Sequence, residues 1–155
     1  MNAEAYRGRD LGVLAGRLLF AVQDELFERL HEQGFDDIVP RHGAVLAYLR
    51  PDGVRATDLA RLSGQLKQVV GVIVDDLERL DYVVRRPDPA DRRAKLVLPT
   101  DRGLAQMAAA DAIMIDIMNR HADQLGPDEF QRFLTNFRSI IDSQRAASAN
   151  ADPAS

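Results

Sequence analysis

Four arginines and a lysine lie close together around two prolines in the stretch RRPDPADRRAK, residues 85–95. These basic residues are Arg85, Arg86, Arg92, Arg93 and Lys95. A guanidinium group presents a planar fork of N–H donors that matches phosphate oxygens, and it also suits the narrow, electronegative minor groove of DNA. The cluster therefore indicates a phosphate-binding surface, although a solvated turn with local ion pairs would have the same composition.

The charge of the whole chain does not explain this cluster, because the 155 residues carry a net charge of −4. Residues 41–102 hold 12 basic and 9 acidic side chains, a net of +3, whereas residues 1–40 (4 and 8) and 103–155 (4 and 7) are acidic. A basic middle between acidic flanks is typical of a nucleic-acid surface, and chance clustering on a solvated face is the alternative. We expect a cytoplasmic protein without a membrane segment, since charges interrupt every longer apolar run.

The elements that must position the basic cluster follow from apolar spacing and from glycine and proline. Steps of three and four from Leu11 to Leu30 predict a helix from Asp10 to about Gln33. Two helices, at about 57–63 and 66–80, flank Gly64 and read as a helix-turn-helix. The strands YVVRRP and AKLVLP, joined by the six-residue connection DPADRR, predict a hairpin, and two long helices follow. The order predicts a mainly α (α+β) fold, a winged helix-turn-helix with flanking helices.

In such a fold the second helix of the pair enters the major groove and the hairpin meets the DNA backbone and the minor groove. The predicted outward residues of the helix are Gln65, Lys67, Gln68, Val69 and Val72. The amide of Gln68 can pair with adenine, Val69 or Val72 can touch a thymine methyl, and Lys67 suits phosphate or guanine.

Residues 59–103, including the DPADRR element and the following T-x-x-G at Thr100–Gly103, resemble the multiple antibiotic resistance regulator (MarR) family of bacterial transcription factors. The resemblance implies a homodimer, a pseudo-palindromic DNA operator, and repression relieved by a small, often aromatic or phenolic, molecule. It implies that Asp91 orients a wing arginine and that Arg93 lies at the minor groove. The length predicts one domain over residues 1–155, and the low-complexity end of the chain predicts a disordered tail at 147–155. Within this domain the resemblance implies dimerisation helices at 10–40 and 104–146 and a winged helix-turn-helix at 41–103.

Four residues depart from the family pattern. Leu66 stands where Ser or Thr commonly caps the recognition helix, Asp81 where Gly usually follows it, and Pro99 where Leu usually precedes Thr100. Gly71 lies inside the helix, where it costs about 1 kcal/mol relative to Ala. The departures at Leu66 and Asp81 support an alternative function, a winged-helix dimer that has lost DNA binding and acts through protein contacts.

The remaining candidate residues indicate no catalysis. The chain has no cysteine, and its three histidines show no metal-ligand spacing, so we predict no metal, no cofactor and no enzyme activity. His42, near the start of the second helix, is a candidate either for a cap-region group or for lining an effector pocket.

Overall fold

The structure, a computed structural model, describes residues 10–150. It begins with helix α1 (Leu11–Glu32), in which the side chain of Asp10 accepts the N–H of Val13 at 3.0 Å and so caps the first turn. Gly34 follows the helix with φ +91°, a conformation that glycine adopts at no steric cost. The helix predicted from Asp10 to about Gln33 is confirmed.

The helix-turn-helix follows a short connecting region. The elements in chain order are a 3₁₀ turn (Pro40–His42), α2 (Gly43–Leu46), β1 (Val54–Arg55), α3 (Ala56–Ser63) and α4 (Lys67–Arg79). Gly64 joins the last two helices with φ +71°. Helix α4 packs through one face, because Val70, Ile73, Val74 and Leu77 are buried. This places its opposite face in solvent, as the sequence predicted.

The wing is a hairpin of β2 (Val83–Asp88) and β3 (Asp91–Pro99), and β1 pairs with the other side of β3, giving the antiparallel order β1-β3-β2. The predicted six-residue connection DPADRR is wrong. Asp88 and Asp91 are partners in the ladder, and only Pro89 and Ala90 join the strands. The carboxylate of Asp88 accepts the N–H of Ala90 at 2.8 Å, which tightens this turn. Arg92 and Arg93 therefore lie in a strand rather than in a loop.

The core of this region is apolar and draws on every element from α1 to β3. Its largest fully buried apolar side chains are Tyr82, Leu30, Ile38, Leu59, Leu77, Val45, Val70, Val74 and Val83. Packing of this kind holds α4 and the wing as one rigid support for the basic residues.

The residues that follow the wing form α5 (Asp101–Leu125) and α6 (Pro127–Asn150). The chain divides into two compact units, one up to Ile113 and one from Met114. Within the second unit, Phe130, Phe133 and Phe137 stack in sequence along α6, with ring centroids 6.4 and 5.7 Å apart. The last helix reaches Asn150, so residues 147–150 are helical and do not belong to the predicted disordered tail, whose remaining residues, 151–155, lie outside the described residues.

Candidate nucleic-acid interface

The outward face of α4 carries the predicted base-reading residues. Gln65, Lys67, Gln68, Val69 and Val72 are all exposed. Gln65 lies in the turn before the helix, because α4 begins at Lys67. The structure thus brings these five side chains to one surface.

Leu66 occupies the N-cap position of α4 with extended backbone angles, and its side chain makes no capping hydrogen bond. A Ser or Thr cap would typically add about 1 kcal/mol to the stability of the helix. The predicted loss of the cap is confirmed.

Three carboxylates on α4 would repel DNA if they were unpaired, and two of them bind Arg85 at the root of the wing. Its Nη2 lies 2.6 Å from Oδ1 of Asp75, and its Nη1 lies 2.6 Å from Oε2 of Glu78. The backbone N–H of Arg85 also donates to Oε1 of Glu78 at 3.0 Å. This backbone hydrogen bond, followed by the guanidinium, lowers the pKa of Glu78, so the carboxylate is ionised and compensated.

The third carboxylate, Asp76, is surrounded by three donors. Arg41 and Arg79 each donate to it, and Nε2 of His42 lies 2.9 Å from its Oδ2. The hydrogen bond from His42, followed by those from Arg79 and Arg41, holds the pKa of Asp76 well below its ordinary value. No carboxylate of the recognition helix therefore lacks a cationic or hydrogen-bonding partner.

His42 has a structural position rather than the predicted one at a pocket wall. Its side chain is buried, and its Nδ1 accepts the N–H of Val39 at 3.2 Å while its Nε2 faces Asp76. Both ring nitrogens are thus used within the fold, with the proton on Nε2. His42 does not line the neighbouring cavity described below.

The wing keeps most of its predicted cations in solvent. Arg86, Arg92, Arg93 and Lys95 are exposed, and within residues 10–150 none of them forms an ion pair. Arg85 differs from its neighbours, because its side chain is only 25% exposed and is directed to α4. Arg85 therefore connects the wing to α4, whereas the other four cations of the wing remain exposed to solvent.

Asp88, in the wing, binds the guanidinium of Arg55 in β1, a contact that sequence reasoning did not single out. Nε of Arg55, in β1, donates to Oδ2 of Asp88 at 2.7 Å, and the N–H of Ala90, followed by this guanidinium, lowers the pKa of Asp88. Asp91 instead accepts the backbone N–H of Arg93 at 3.1 Å. The geometry described here gives Asp91 a contact with the backbone of Arg93 rather than with its guanidinium.

Asp81, at the end of α4, has φ +63° and is the one non-glycine residue with positive φ among the residues described. This is the position where the family pattern has glycine. Behind it, the hydroxyl of Thr100 donates to the carbonyl of Asp81 at 2.5 Å and accepts the N–H of Gly103 at 3.0 Å. These contacts fix the turn between α4 and the wing.

A half-open cavity of about 380 Å³ lies between α1, α2 and the helix-turn-helix. Leu19, Gln23, Tyr48 and Val69 are among the residues that line it, and Arg41 places a cation at its wall. Such a mixture of apolar side chains and a few polar groups suits a small amphipathic ligand.

Residues 10–150 show neither a membrane-length apolar helix nor a cluster of three or more His, Asp or Glu side chains that could hold a metal ion.

Comparison with known proteins gives a family-model match over part of the chain and a shared fold over most of it. Residues 36–94 match the model described as the MarR family. The comparison with curated proteins gave no match.

Three solved structures are similar over most of the chain. CouR from Rhodococcus jostii RHA1, bound to p-coumaroyl-CoA, has a TM-score of 0.70 and 26% identity, covering 86% of this chain and 92% of that chain. A structure of the transcriptional repressor CouR bound to a 23-mer DNA duplex has a TM-score of 0.69 and 24% identity, and the match covers 91% of this chain and 99% of that chain. A complex of S. aureus MepR with DNA has a TM-score of 0.72 and 21% identity, and the match covers 87% of this chain and 96% of that chain. The likeness extends well beyond the segment that the family model matches.

Proposed function

We propose that this chain is a transcriptional regulator of the MarR family, a cytoplasmic homodimer that binds a double-stranded operator sequence-specifically and represses transcription until a small aromatic or phenolic ligand releases it. One observation carries the DNA-binding part. Every carboxylate of the recognition helix has a partner within the fold, whereas four wing cations have none among the described residues. The uncompensated charge beside the exposed face of α4 is therefore positive, which suits a polyanion.

The test is a gel-shift titration of the purified full chain on the DNA upstream of its own gene, repeated across a salt series. If wing cations supply much of the affinity, the association constant should fall by about a thousandfold between roughly 50 and 200 mM salt. Retention of the same affinity at all salt concentrations, or no shift at the lowest one, would contradict the proposal.

The proposal of a homodimer rests on apolar side chains that the single chain leaves in water. In α1, Leu11, Leu14 and Leu18 recur at helical spacing and are 60%, 49% and 42% exposed. A stripe of this kind on an amphipathic helix needs a partner surface. In the second unit, Phe133 and Ile140 are likewise exposed on α6.

Light scattering tests the dimer. The double variant Leu14→Glu/Leu18→Glu should elute as a monomer and lose operator binding, because charge on the stripe prevents its burial. Arg17→Glu, which places the same residue type at an exposed polar position of the same helix without removing an apolar side chain, is the matched control and should stay dimeric. A dimeric double variant would exclude α1 from the interface.

The proposal of a ligand rests on the cavity and on Arg41, which lines the cavity and also donates to Asp76 of the recognition helix. A ligand that carries an anionic or phenolic oxygen can compete with Asp76 for this guanidinium and so disturb α4. CouR, with the same fold, was solved with p-coumaroyl-CoA, which makes aromatic acids and their thioesters the first probes. Calorimetric titration should detect binding of such a probe, and Arg41→Ala should weaken that binding. The bound probe should also lower the affinity of the protein for the operator. Probe binding without any change in operator affinity would contradict the proposal that the ligand releases the repressor.

A further inference from the structure

The recognition helix presents an apolar strip to solvent. We define it as Leu66, Val69 and Val72, which are 72%, 40% and 66% exposed. Val69 and Val72 are three residues apart, so their side chains lie on the same side of α4, and Leu66 occupies the N-cap position directly before the helix. The opposite side of the helix already carries the buried residues of the core.

The fold itself gives two members of the strip no packing role. Leu66 lines none of the cavities described here, and Val72 borders only a shallow surface depression beside Asp75 and Asp76. Between them, a Cβ atom added to Gly71 would meet no atom within 4 Å, so open space extends over this part of the helix. Val69 differs, because it also lines the cavity.

The surroundings of the strip indicate what covers it. Lys67 is exposed next to Leu66, and Arg41 and Arg79 line the depression beside Val72. The two carboxylates there, Asp75 and Asp76, are paired with arginines, so the charge near the strip favours a polyanion over an apolar protein surface. Few polar side chains on this face of α4 could form hydrogen bonds with base edges, and Gln68 is the amide within the helix that could do so. In the major groove, guanine calls for arginine or lysine and adenine for an amide, while thymine offers a methyl group for apolar contact.

The geometry points to thymine methyl groups as the ligands of the strip: we propose that α4 selects thymine-rich half-sites by burying the 5-methyl groups against Leu66 and Val72, while Gln68 pairs with an adenine. Six residues of helix span about 9 Å, close to three base pairs at roughly 3.4 Å each. Gly71 lets the helix backbone approach the edges of the bases. This inference rests on the proposed function and specifies which DNA it prefers.

The experiment begins with selection of binding sites by the full chain from a random-sequence duplex library. Each thymine of the selected half-site is then replaced by deoxyuridine, which removes only the methyl group. Replacement of each contacted thymine should lower the affinity of the protein for the duplex about fourfold. Val72→Ala and Leu66→Ala should weaken binding by a similar factor.

A double-mutant cycle assigns each contact. In Val72→Ala, deoxyuridine at the thymine that Val72 covers should cause no further loss, because the contact is already absent. Val72→Ala should fold at least as stably as the wild type, since alanine has the higher helix propensity. Leu66→Ala should be close to neutral, because leucine and alanine are both poor N-cap residues and the side chain is 72% exposed. Val39 is an exposed valine outside α4, so Val39→Ala is the matched control. This variant should bind the operator with wild-type affinity and lose as much affinity as the wild type when thymine is replaced by deoxyuridine.

The outcomes separate the two proposals. If no sequence is enriched, DNA binding itself is wrong and the inference falls with it. If a sequence is enriched but deoxyuridine has no effect, DNA binding stands and the reading of methyl groups is overturned. Unchanged affinity of both alanine variants would also overturn it and assign the strip to a protein partner.

Discussion

Arg85, at the root of the wing, and Asp75, on the recognition helix, form an ion pair with 2.6 Å between Nη2 and Oδ1, and the same guanidinium binds Glu78. The pair joins the two parts of the candidate interface. It also neutralises carboxylates that would otherwise lie beside the phosphates of DNA.

Arg85→Ala should therefore weaken operator binding by roughly tenfold or more, because like charges brought together at an interface cost several kcal/mol. Adding Asp75→Asn and Glu78→Gln to this variant should restore most of the affinity. Fluorescence anisotropy with a labelled operator measures the affinities of the single and the triple variant. If the triple variant stays as weak as Arg85→Ala, Arg85 contacts DNA directly instead of positioning the wing.

Arg93 and Gln68 should affect binding in different ways. Arg93→Ala should reduce the slope of log association constant against log salt by about two, because the homodimer would lose one phosphate contact in each half-site. Gln68→Ala should leave that slope unchanged and lower discrimination against a substituted adenine by about 1–3 kcal/mol. Arg138→Ala, an exposed arginine of α6, is a control for charge alone, and a slope change equal to that of Arg93→Ala would remove the special role of the wing.

The partners of Asp76 predict how stability depends on pH. Its folded-state pKa lies below the ordinary value of 3.8, so its contribution to stability is fully present above that value and is lost as the pH falls below it. Asp76→Asn should therefore be less stable than the wild type at pH 7, and the difference should narrow below about pH 4.

Urea denaturation at a series of pH values tests this expectation. Asp111→Asn, an exposed aspartate of α5, serves as the control and should change stability by less than about 0.5 kcal/mol. A constant difference between wild type and Asp76→Asn down to pH 3 would contradict the assignment.

Two glycines should respond in opposite ways to alanine. A Cβ at Gly103 would lie 2.1 Å from the carbonyl oxygen of Tyr82, a backbone atom that cannot move aside, so Gly103→Ala should destabilise the protein by about 3 kcal/mol. Gly71→Ala meets no neighbouring atom and should stabilise the helix by up to about 1 kcal/mol. Thermal unfolding gives both values, and weaker operator binding by the more stable Gly71→Ala would indicate that the backbone approaches DNA at this position.

The sequence correctly predicted the elements because their ends depend on neighbouring residues. Gly34, Gly64 and Gly126 accept the positive φ that ends a helix or turns the chain. Apolar spacing separated the buried face of α4 from the exposed one. The hairpin connection was misjudged because proline and aspartate are typical of loops, whereas pairing of Asp88 with Asp91 across the strands extends the ladder to the tip.

Tertiary structure alone decided which charged groups are available. Arg55 and Asp88 are 33 residues apart, and His42 and Asp76 are 34 apart, yet each pair is in contact. Arg85 and Arg86 are adjacent and chemically identical in sequence, but one is directed to α4 and the other to solvent. The residue types establish that the segment is cationic, because a guanidinium carries its charge wherever it lies. The assignment of each cation to a carboxylate of the fold or to an external partner depends on distances of a few ångströms, which only packing of the core brings about.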